Sequence, residues 1–207
     1  MSWFPFFMEL KGKKGLIVGG GKVAVRKAEK MLPFGTVLTM IAPAFCEEAI
    51  QLENIERVCR RFLPKDIEGM CFVIGATDEL YTNQEIYELC KKRHIPVNIV
   101  DDKEKCTFLF PALVKQGEFV AGFTTGGSSP LAAAYIRKWV EENLPENLED
   151  IIAFMGMCRQ EIRKRYSAAE DRAYLLREIF CLAMQKGRGL SSVELEEILK
   201  RRNDHGT

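Results

Sequence analysis

No run of apolar residues in this chain approaches the ~20 that a membrane-spanning helix requires, which sets aside a helical membrane protein. The opening stretch, Met1-Ser-Trp-Phe-Pro-Phe-Phe-Met-Glu-Leu10, is apolar but short. It lacks the basic segment and small-residue cleavage site of a secretory leader. Neither charge is in excess: Lys and Arg number 30 against 29 Asp and Glu. Nothing global draws the chain to nucleic acid or to an anionic membrane, so an anionic ligand must meet a local basic cluster. Only two histidines occur, His94 and His205, and neither has a partner at ligand spacing, so no metal centre is expected. The seven cysteines are odd in number, scattered and without a Cys-x-x-Cys, which reads as reduced thiols in a cytoplasmic protein. Internal repeats and low-complexity segments are missing as well.

What is present is ordinary globular composition, 47% apolar and 29% charged, over 207 residues. That length suits one large domain or one domain with an appendage. The first half alternates strand and helix signals. Gly15 to Gly19 reads as a buried parallel strand, Lys22 to Leu32 as a helix halted by Pro33 and Gly35, and Thr36 to Ile41 as a second strand. Pro43 to Leu52 suggests a short helix and Ile55 to Phe62 an edge strand. Met70 to Ala76, Asn83 to Arg93 and Ile95 to Val100 then give strand, helix and strand. This rhythm predicts an α/β fold with a Rossmann-like, doubly wound parallel sheet.

The pattern changes after Lys105. Thr107 to Phe110, Ala112 to Lys115 and Glu118 to Thr124 read as short strands, the last two joined by a tight Gln116-Gly117 turn. A helix follows from Leu131 to about Asn143, with Ser129 as N-cap and Pro130 at its first position. From Asn147 the signal is purely helical. One apolar stripe is Ile151, Phe154, Met155, Cys158 and Ile162, and another is Ala173, Leu176, Ile179, Phe180 and Ala183. Ser191-x-x-Glu194 is a capping box for a last helix, and a frayed tail is expected from Arg201.

The sharpest local signal is Gly19-x-Gly21-x-x-Ala24, the dinucleotide fingerprint in its Ala-ended form, placed between a strand and a helix. Gly19 permits the tight turn, Gly21 lets a pyrophosphate approach backbone, and Ala24 lets helix and strand pack closely. The amides that open the helix, from Lys22 and Val23, face the phosphates. The acid expected about 20 residues on, for the adenine ribose, is missing. The second strand ends Ile41-Ala42-Pro43-Ala44, so backbone near Pro43 and Ala44 would have to meet the ribose. NAD and NADP both remain open at this stage, as does a sheet with a lapsed site.

Beyond the glycines, several pieces fall in order: Phe4-Pro-Phe-Phe7, Leu16-Ile-Val-Gly-Gly-Gly-Lys-Val-Ala-Val-Arg-Lys-Ala28, Gly75-Ala-Thr-Asp78, Val97-Asn-Ile-Val-Asp101, Phe108-x-Phe-Pro111 and Thr124-Thr-Gly-Gly-Ser-Ser-Pro130. With them the sequence resembles the siroheme synthase N-terminal family, precorrin-2 dehydrogenases that are often also sirohydrochlorin ferrochelatases. The likeness covers residues 1 to about 145 well and the helical tail in kind. It implies three segments: a Rossmann NAD-binding domain over 1–112, a dimerisation segment over 113–145 that makes a homodimer, and a helical substrate-covering domain over 146–207. It implies NAD-dependent oxidation of precorrin-2 to sirohydrochlorin, with Fe2+ then inserted in some members.

The same resemblance makes Asp101 the catalytic residue. It stands at the carboxyl end of a parallel strand, where open α/β sheets place their ligands, and a carboxylate there can accept a proton. Read without the resemblance, Asp101 is a loop aspartate capping a turn. Asp102 is its solvated neighbour or a substitute for it in the same role. Thr77 and Asp78 end the other central strand, beside the cofactor or simply as a turn initiator. Thr125, Gly126, Gly127 and Ser128 form a helix cap whose amides could hold a substrate carboxylate. Thr125 matches a regulatory serine of some relatives. The substrate is rich in carboxylates, so Arg159 and Arg163 are candidate substrate contacts, together with Lys164, Arg165, Arg172, Arg137 and Lys138. A chain of this length leaves no room for the methyltransferase domain of some relatives, so a separate methyltransferase is expected to supply precorrin-2. Two other readings stand beside the dehydrogenase: a non-enzymatic dinucleotide-binding sensor, and a ferrochelatase-only protein.

Overall fold

The computed structural model describes residues 3–204, the last three as backbone alone, so His205 lies outside the described residues. The chain divides into two compact units, Met1–Phe110 and Pro111–Thr207.

In the first unit, five strands form one parallel sheet: β1 (Lys14–Val18), β2 (Val37–Ala42), β3 (Ile55–Cys59), β4 (Phe72–Gly75) and β5 (Val97–Ile99). Their order is β3-β2-β1-β4-β5. The chain moves outward from β1 to β2 and β3, then returns past β1 to β4 and β5. Such a reversal opens a crevice outside the carboxyl ends of β1 and β4. Both faces of the central strands β1 and β4 are buried, which explains why they read as apolar runs, while the edge strand β3 keeps Glu56 and Arg57 exposed. Leu16, Val18, Val73, Val97 and Ile99 pack on one face with Ile86 and Cys90 of helix α3 (Leu80–Arg93). Ile17, Leu38, Met40, Phe72 and Ile74 pack on the other with Ala24, Val25 and Ala28 of helix α1 (Lys22–Met31). Each large aliphatic side chain so buried contributes about 1.5–3 kcal/mol.

Five local expectations need correction. Helix α2 spans only Glu47–Gln51, because residues 43–46 fold as a loop whose Cys46 amide donates to the Gly20 carbonyl at 2.9 Å. Residues 107–110 are not a strand. Thr107 makes a single bridge to β5: its amide donates to the Val97 carbonyl at 2.8 Å, and its hydroxyl rather than a carbonyl accepts from the Val97 amide at 2.8 Å. With a side chain in the ladder's place, pairing stops there. Phe108 then packs edge-on against Phe72, with centroids 6.1 Å apart. The other three fall in the second unit.

That unit begins with the antiparallel hairpin β6 (Ala112–Gln116) and β7 (Phe119–Phe123). Gln116 pairs with Phe119, so the turn is Gly117-Glu118, one residue later than expected, with Gly117 at φ 56°. Helix α4 (Pro130–Asn143) opens as expected, the Ser129 side chain accepting from the Ala132 amide. Helices α5 (Leu148–Arg165), α6 (Ala169–Lys186) and α7 (Ser192–Asp204) share a core of Ile151, Cys158, Ile162, Leu175, Ile179, Ala183, Leu190 and Ile198. The buried stripe of α6 is therefore Leu175, Ile179 and Ala183, at i, i+4 and i+8, while Ala173 and Phe180 are exposed. The capping box closes reciprocally: the Ser191 amide donates to Glu194 at 2.7 Å, and the Glu194 amide to the Ser191 hydroxyl at 3.3 Å. The expected frayed tail is helical through Asp204.

Candidate active site

The carboxyl ends of β2, β1, β4 and β5 are stitched together beyond the strands themselves. The Gly19 amide donates to the Ile41 carbonyl, Ala76 to Val18, and Val100 to Gly75, all within 2.8–2.9 Å. This brings the glycine turn, Thr77-Asp78 and Asp101 to one edge of the sheet.

The three glycines do different work. A Cβ on Gly19, which sits at φ +138°, would fall 2.1 Å from the Ala76 carbonyl oxygen. A Cβ on Gly20 would fall 2.1 Å from the Ala44 carbonyl oxygen. Gly20 thus has as little room for a side chain as Gly19, although only Gly19 has a positive φ and the fingerprint treats position 20 as free. A Cβ on Gly21 would meet nothing within 4 Å. Gly21 is also the N-cap of α1, no side chain caps that end, and the first turn holds no acid. An uncapped, acid-free helix start facing open space fits a pyrophosphate. Val23 and the fully buried Ala24 stand where the fingerprint needs them.

The ribose end departs from the usual pattern. Ala42, Pro43 and Ala44 carry no acid, and the Pro43 carbonyl accepts from the Cys59 thiol at 3.2 Å. The Lys22 ammonium pairs with Glu48 of α2 at 2.9 Å, and this contact holds the Glu48 carboxyl down to about 2. At Lys22, therefore, the side chain is engaged with Glu48, leaving the backbone amide at the helix start.

Thr77 is committed locally. Its hydroxyl accepts from the Glu79 amide at 3.1 Å, and buried Asn83 donates to its carbonyl at 2.8 Å. Asp78 beside it is exposed.

Asp101 follows β5 in a tight turn closed by the Asp102 amide donating to the Ile99 carbonyl. It holds φ 62°, a left-handed conformation that costs most residues energy and that aspartate tolerates better than most. Its exposed carboxylate makes no hydrogen bond or ion pair with another described residue. Asp102 is not a merely solvated neighbour: it binds Lys105 at 2.7 Å, and that hydrogen bond lowers its pKa. Beneath the turn, Asn98 donates to the Phe108 carbonyl at 3.0 Å, and the Cys106 thiol donates to the Ile99 and Asp102 carbonyls.

In the second unit, the Thr125 hydroxyl is spent on Ser129, accepting from its amide at 3.0 Å and donating to its carbonyl at 2.9 Å. Gly126 and Gly127 both have positive φ. Ser128 donates its amide to the Thr125 carbonyl at 3.2 Å. Most of the basic candidates also have partners. Arg137 pairs with Glu141, Lys138 with Glu142, and Lys164 and Arg165 with Glu161. Arg172 donates to the Tyr166 and Ser167 carbonyls that end α5. Arg159 and Arg163 stand apart: one turn from each other on α5, exposed, and without an ion pair to any described residue. Among the described residues, no three His, Cys, Asp or Glu side chains converge as metal ligands, and no helix is long and apolar enough to cross a membrane.

Sequence reasoning singled out no role for Lys27 within the helix read over Lys22 to Leu32. Its ammonium lies 4.0 Å from the centre of the Phe110 ring. Burial foremost, then Lys30, lowers its pKa, with Cys106 and Asp101 opposing. Its place in the long run from Leu16 to Ala28, rather than its helical spacing, was the available signal.

Residues 6–112 match a family model for NAD(P)-binding domains. Over 183 residues the chain is 32% identical to a siroheme synthase of Pseudoalteromonas translucida and 33% identical to that of Photorhabdus laumondii. Each alignment covers 87% of this chain and 39% of the relative. The chain thus spans about two-fifths of the length of these curated relatives. Among solved structures it is similar to SirC, precorrin-2 dehydrogenase, with a TM-score of 0.77 and 25% identity, over 98% of this chain and 100% of that one.

Proposed function

The chain belongs to the NAD(P)-binding family, and from that premise we propose that it catalyses the NAD-dependent dehydrogenation of precorrin-2 to sirohydrochlorin, a step toward sirohaem. The likeness to a precorrin-2 dehydrogenase along nearly the whole of both chains carries this reading. In the balanced reaction, precorrin-2 and NAD+ give sirohydrochlorin, NADH and a proton.

Bound in the crevice, the nicotinamide supplies the hydride acceptor. The rest falls to the protein. Gly21 leaves space at the helix start, and the amides of Lys22 and Val23 hold the pyrophosphate. Backbone at Pro43 and Ala44 meets the ribose, which favours neither NAD nor NADP through an acid. The ends of β1 and β4, with Thr77 and Asp78, border the cofactor. Asp101 accepts the proton. Its unpartnered carboxylate on a left-handed turn supports that role, since strain of this kind gathers at reacting groups. The same carboxylate can take pyrrole protons when Fe2+, as a substrate, enters sirohydrochlorin.

Arg159 and Arg163 are read as contacts to substrate carboxylates, and the 125–128 turn as a further anion site. Residues 146–207 are read as the cover over the substrate. Residues 113–145 are read as the homodimer segment, supported by Leu131, Tyr135, Ile136 and Trp139, which share an exposed apolar face of α4. A methyltransferase supplies precorrin-2. The cysteines, all free thiols, suit the cytoplasm.

The deciding experiment is an anaerobic assay of precorrin-2 with NAD+, followed by addition of Fe2+ or Co2+, reading tetrapyrrole absorbance at each stage. NADH formation with a sirohydrochlorin spectrum is expected. NAD+ binding without turnover would replace the enzyme with a sensor, and metal insertion without NAD+-dependent oxidation would leave a chelatase alone.

A further inference from the structure

Three aromatic rings form a stack running outward from the core of the first unit. Phe72 is buried in the sheet, Phe108 packs edge-on against it, and Phe110 lies 5.6 Å from Phe108 between centroids. The Lys27 ammonium rests on the last ring at 4.0 Å. Lys27 is the sixth residue of α1, about 7.5 Å along the axis from the helix start. Its aliphatic stem is half-buried, and its charge has no ion-pair partner among the described residues.

The electrostatic surroundings leave that cation in deficit. Burial weakens its hydration, and Lys30 and Arg26 on its own helix repel it. From the segment after β5, the Cys106 thiol and the Asp101 carboxylate offset this only in part, so the net effect is a lowered pKa. An aromatic face attracts a cation but does not neutralise it. A desolvated ammonium held over an aromatic ring, with the Asp101 carboxylate among the charges that act on it, calls for an anion from outside the protein.

We infer that Lys27 is a substrate anchor, binding a rim carboxylate of the tetrapyrrole and thereby setting the macrocycle against Asp101. This rests on the dehydrogenase reading for the identity of the ligand. Phe110 is the corresponding positioning residue, acting through the ammonium that it carries. An ionised carboxylate brought to Lys27 favours the charged amine, so binding raises the Lys27 pKa, and affinity falls as pH rises through the value in the free protein.

The test uses the full chain with [13Cε]lysine labelling, the Lys27 signal being assigned by its loss in Lys27→Arg, and sirohydrochlorin as the probe. In the free protein the Lys27 signal titrates below the ordinary lysine range, and saturating sirohydrochlorin moves that titration upward. Lys27→Met weakens sirohydrochlorin binding about tenfold, the loss of one charge-assisted contact, whereas Lys27→Arg holds it within about threefold. Phe110→Leu gives an intermediate loss. The wild-type titration needs no variant, so a poorly folding Lys27→Met does not remove the test. Sirohydrochlorin bound by the wild type with the Lys27 titration unmoved, or bound equally by Lys27→Met, overturns the anchor and leaves the dehydrogenase standing. A wild-type chain that neither binds sirohydrochlorin nor oxidises precorrin-2 overturns both.

Discussion

Lys105 holds the Asp102 carboxylate at 2.7 Å, and this contact gives two adjacent aspartates different surroundings. Asp102 is an ion-paired brace of the loop, while Asp101, on its left-handed turn, is left with an unpartnered carboxylate. Asp101→Asn is expected to keep the fold, since asparagine tolerates the same backbone region. Its dehydrogenase rate should fall by about 10²–10⁴-fold, the usual worth of a positioned acid or base. Asp102→Asn should retain most of the rate. Single-turnover kinetics of both variants, with melting curves as a control, decide the matter. An unchanged rate in Asp101→Asn would remove that residue from the chemistry.

The glycine turn makes a second, graded prediction. Gly19→Ala and Gly20→Ala each drive a methyl group into a backbone carbonyl at 2.1 Å, so each should cost about 1–3 kcal/mol of stability in urea unfolding. Gly21→Ala projects its methyl into open space and should leave stability within about 0.5 kcal/mol. It should nonetheless weaken NAD+ binding measured by calorimetry, because the space it enters is where a pyrophosphate would lie. Equal destabilisation in all three variants would contradict the division of labour.

Stability at low pH should depend on Asp66. Its side chain is 6% exposed, it accepts both Arg60 nitrogens at 2.7 and 2.8 Å, and it takes the Leu63 amide at 2.8 Å. The Arg60 guanidinium, foremost, holds its carboxyl below the usual range. A carboxyl whose folded pKa is depressed contributes stability that is fully present above its unfolded pKa and lost as pH falls through the folded value. Asp66→Ala should therefore lose about 2–3 kcal/mol at neutral pH and show a flatter decline of stability below about pH 4 than the parent chain. Urea midpoints measured across that range are the check.

The α4 face offers a test of assembly. Leu131 is 85% exposed and Trp139 55%, eight residues apart on one helical stripe, and neither needs changing for the described fold. On the proposed homodimer, the parent chain should sediment as a dimer and Leu131→Asp with Trp139→Glu as a monomer, with helix content intact. Persistence of the dimer would move the interface elsewhere.

Much of the first unit is legible in the sequence. A buried parallel strand must be apolar along its whole length, and a dinucleotide turn must combine glycines with a strand before and a helix after. Both demands are local, so β1, α1, β2, β4, α3 and β5 could be read from runs and punctuation. Where local signals misled, a tertiary contact had intervened. Phe108 and Phe110 look like strand residues, yet the Thr107 hydroxyl ends the pairing with β5 and frees them to stack outward from Phe72. Ala173 and Phe180 fit a helical stripe, yet α6 packs through a line turned slightly around the same helix. The basic residues of the tail could not be ranked from the sequence, because which arginine pairs with which glutamate depends on helix register.

The sequence alone determined the class of fold, the glycine turn and the position of Asp101 at a strand end. Those follow from the covalent order of residues and from rules acting within a few positions. Only the tertiary structure decided that Gly20 must be glycine, that Asp102 is paired while Asp101 is not, and that Lys27 sits on an aromatic ring rather than in water. Each of these depends on segments distant in the chain, Ala44 against Gly20 and Phe110 against Lys27, or on how a turn directs two neighbouring side chains. Such proximities arise when the sheet and its helices close around a common core.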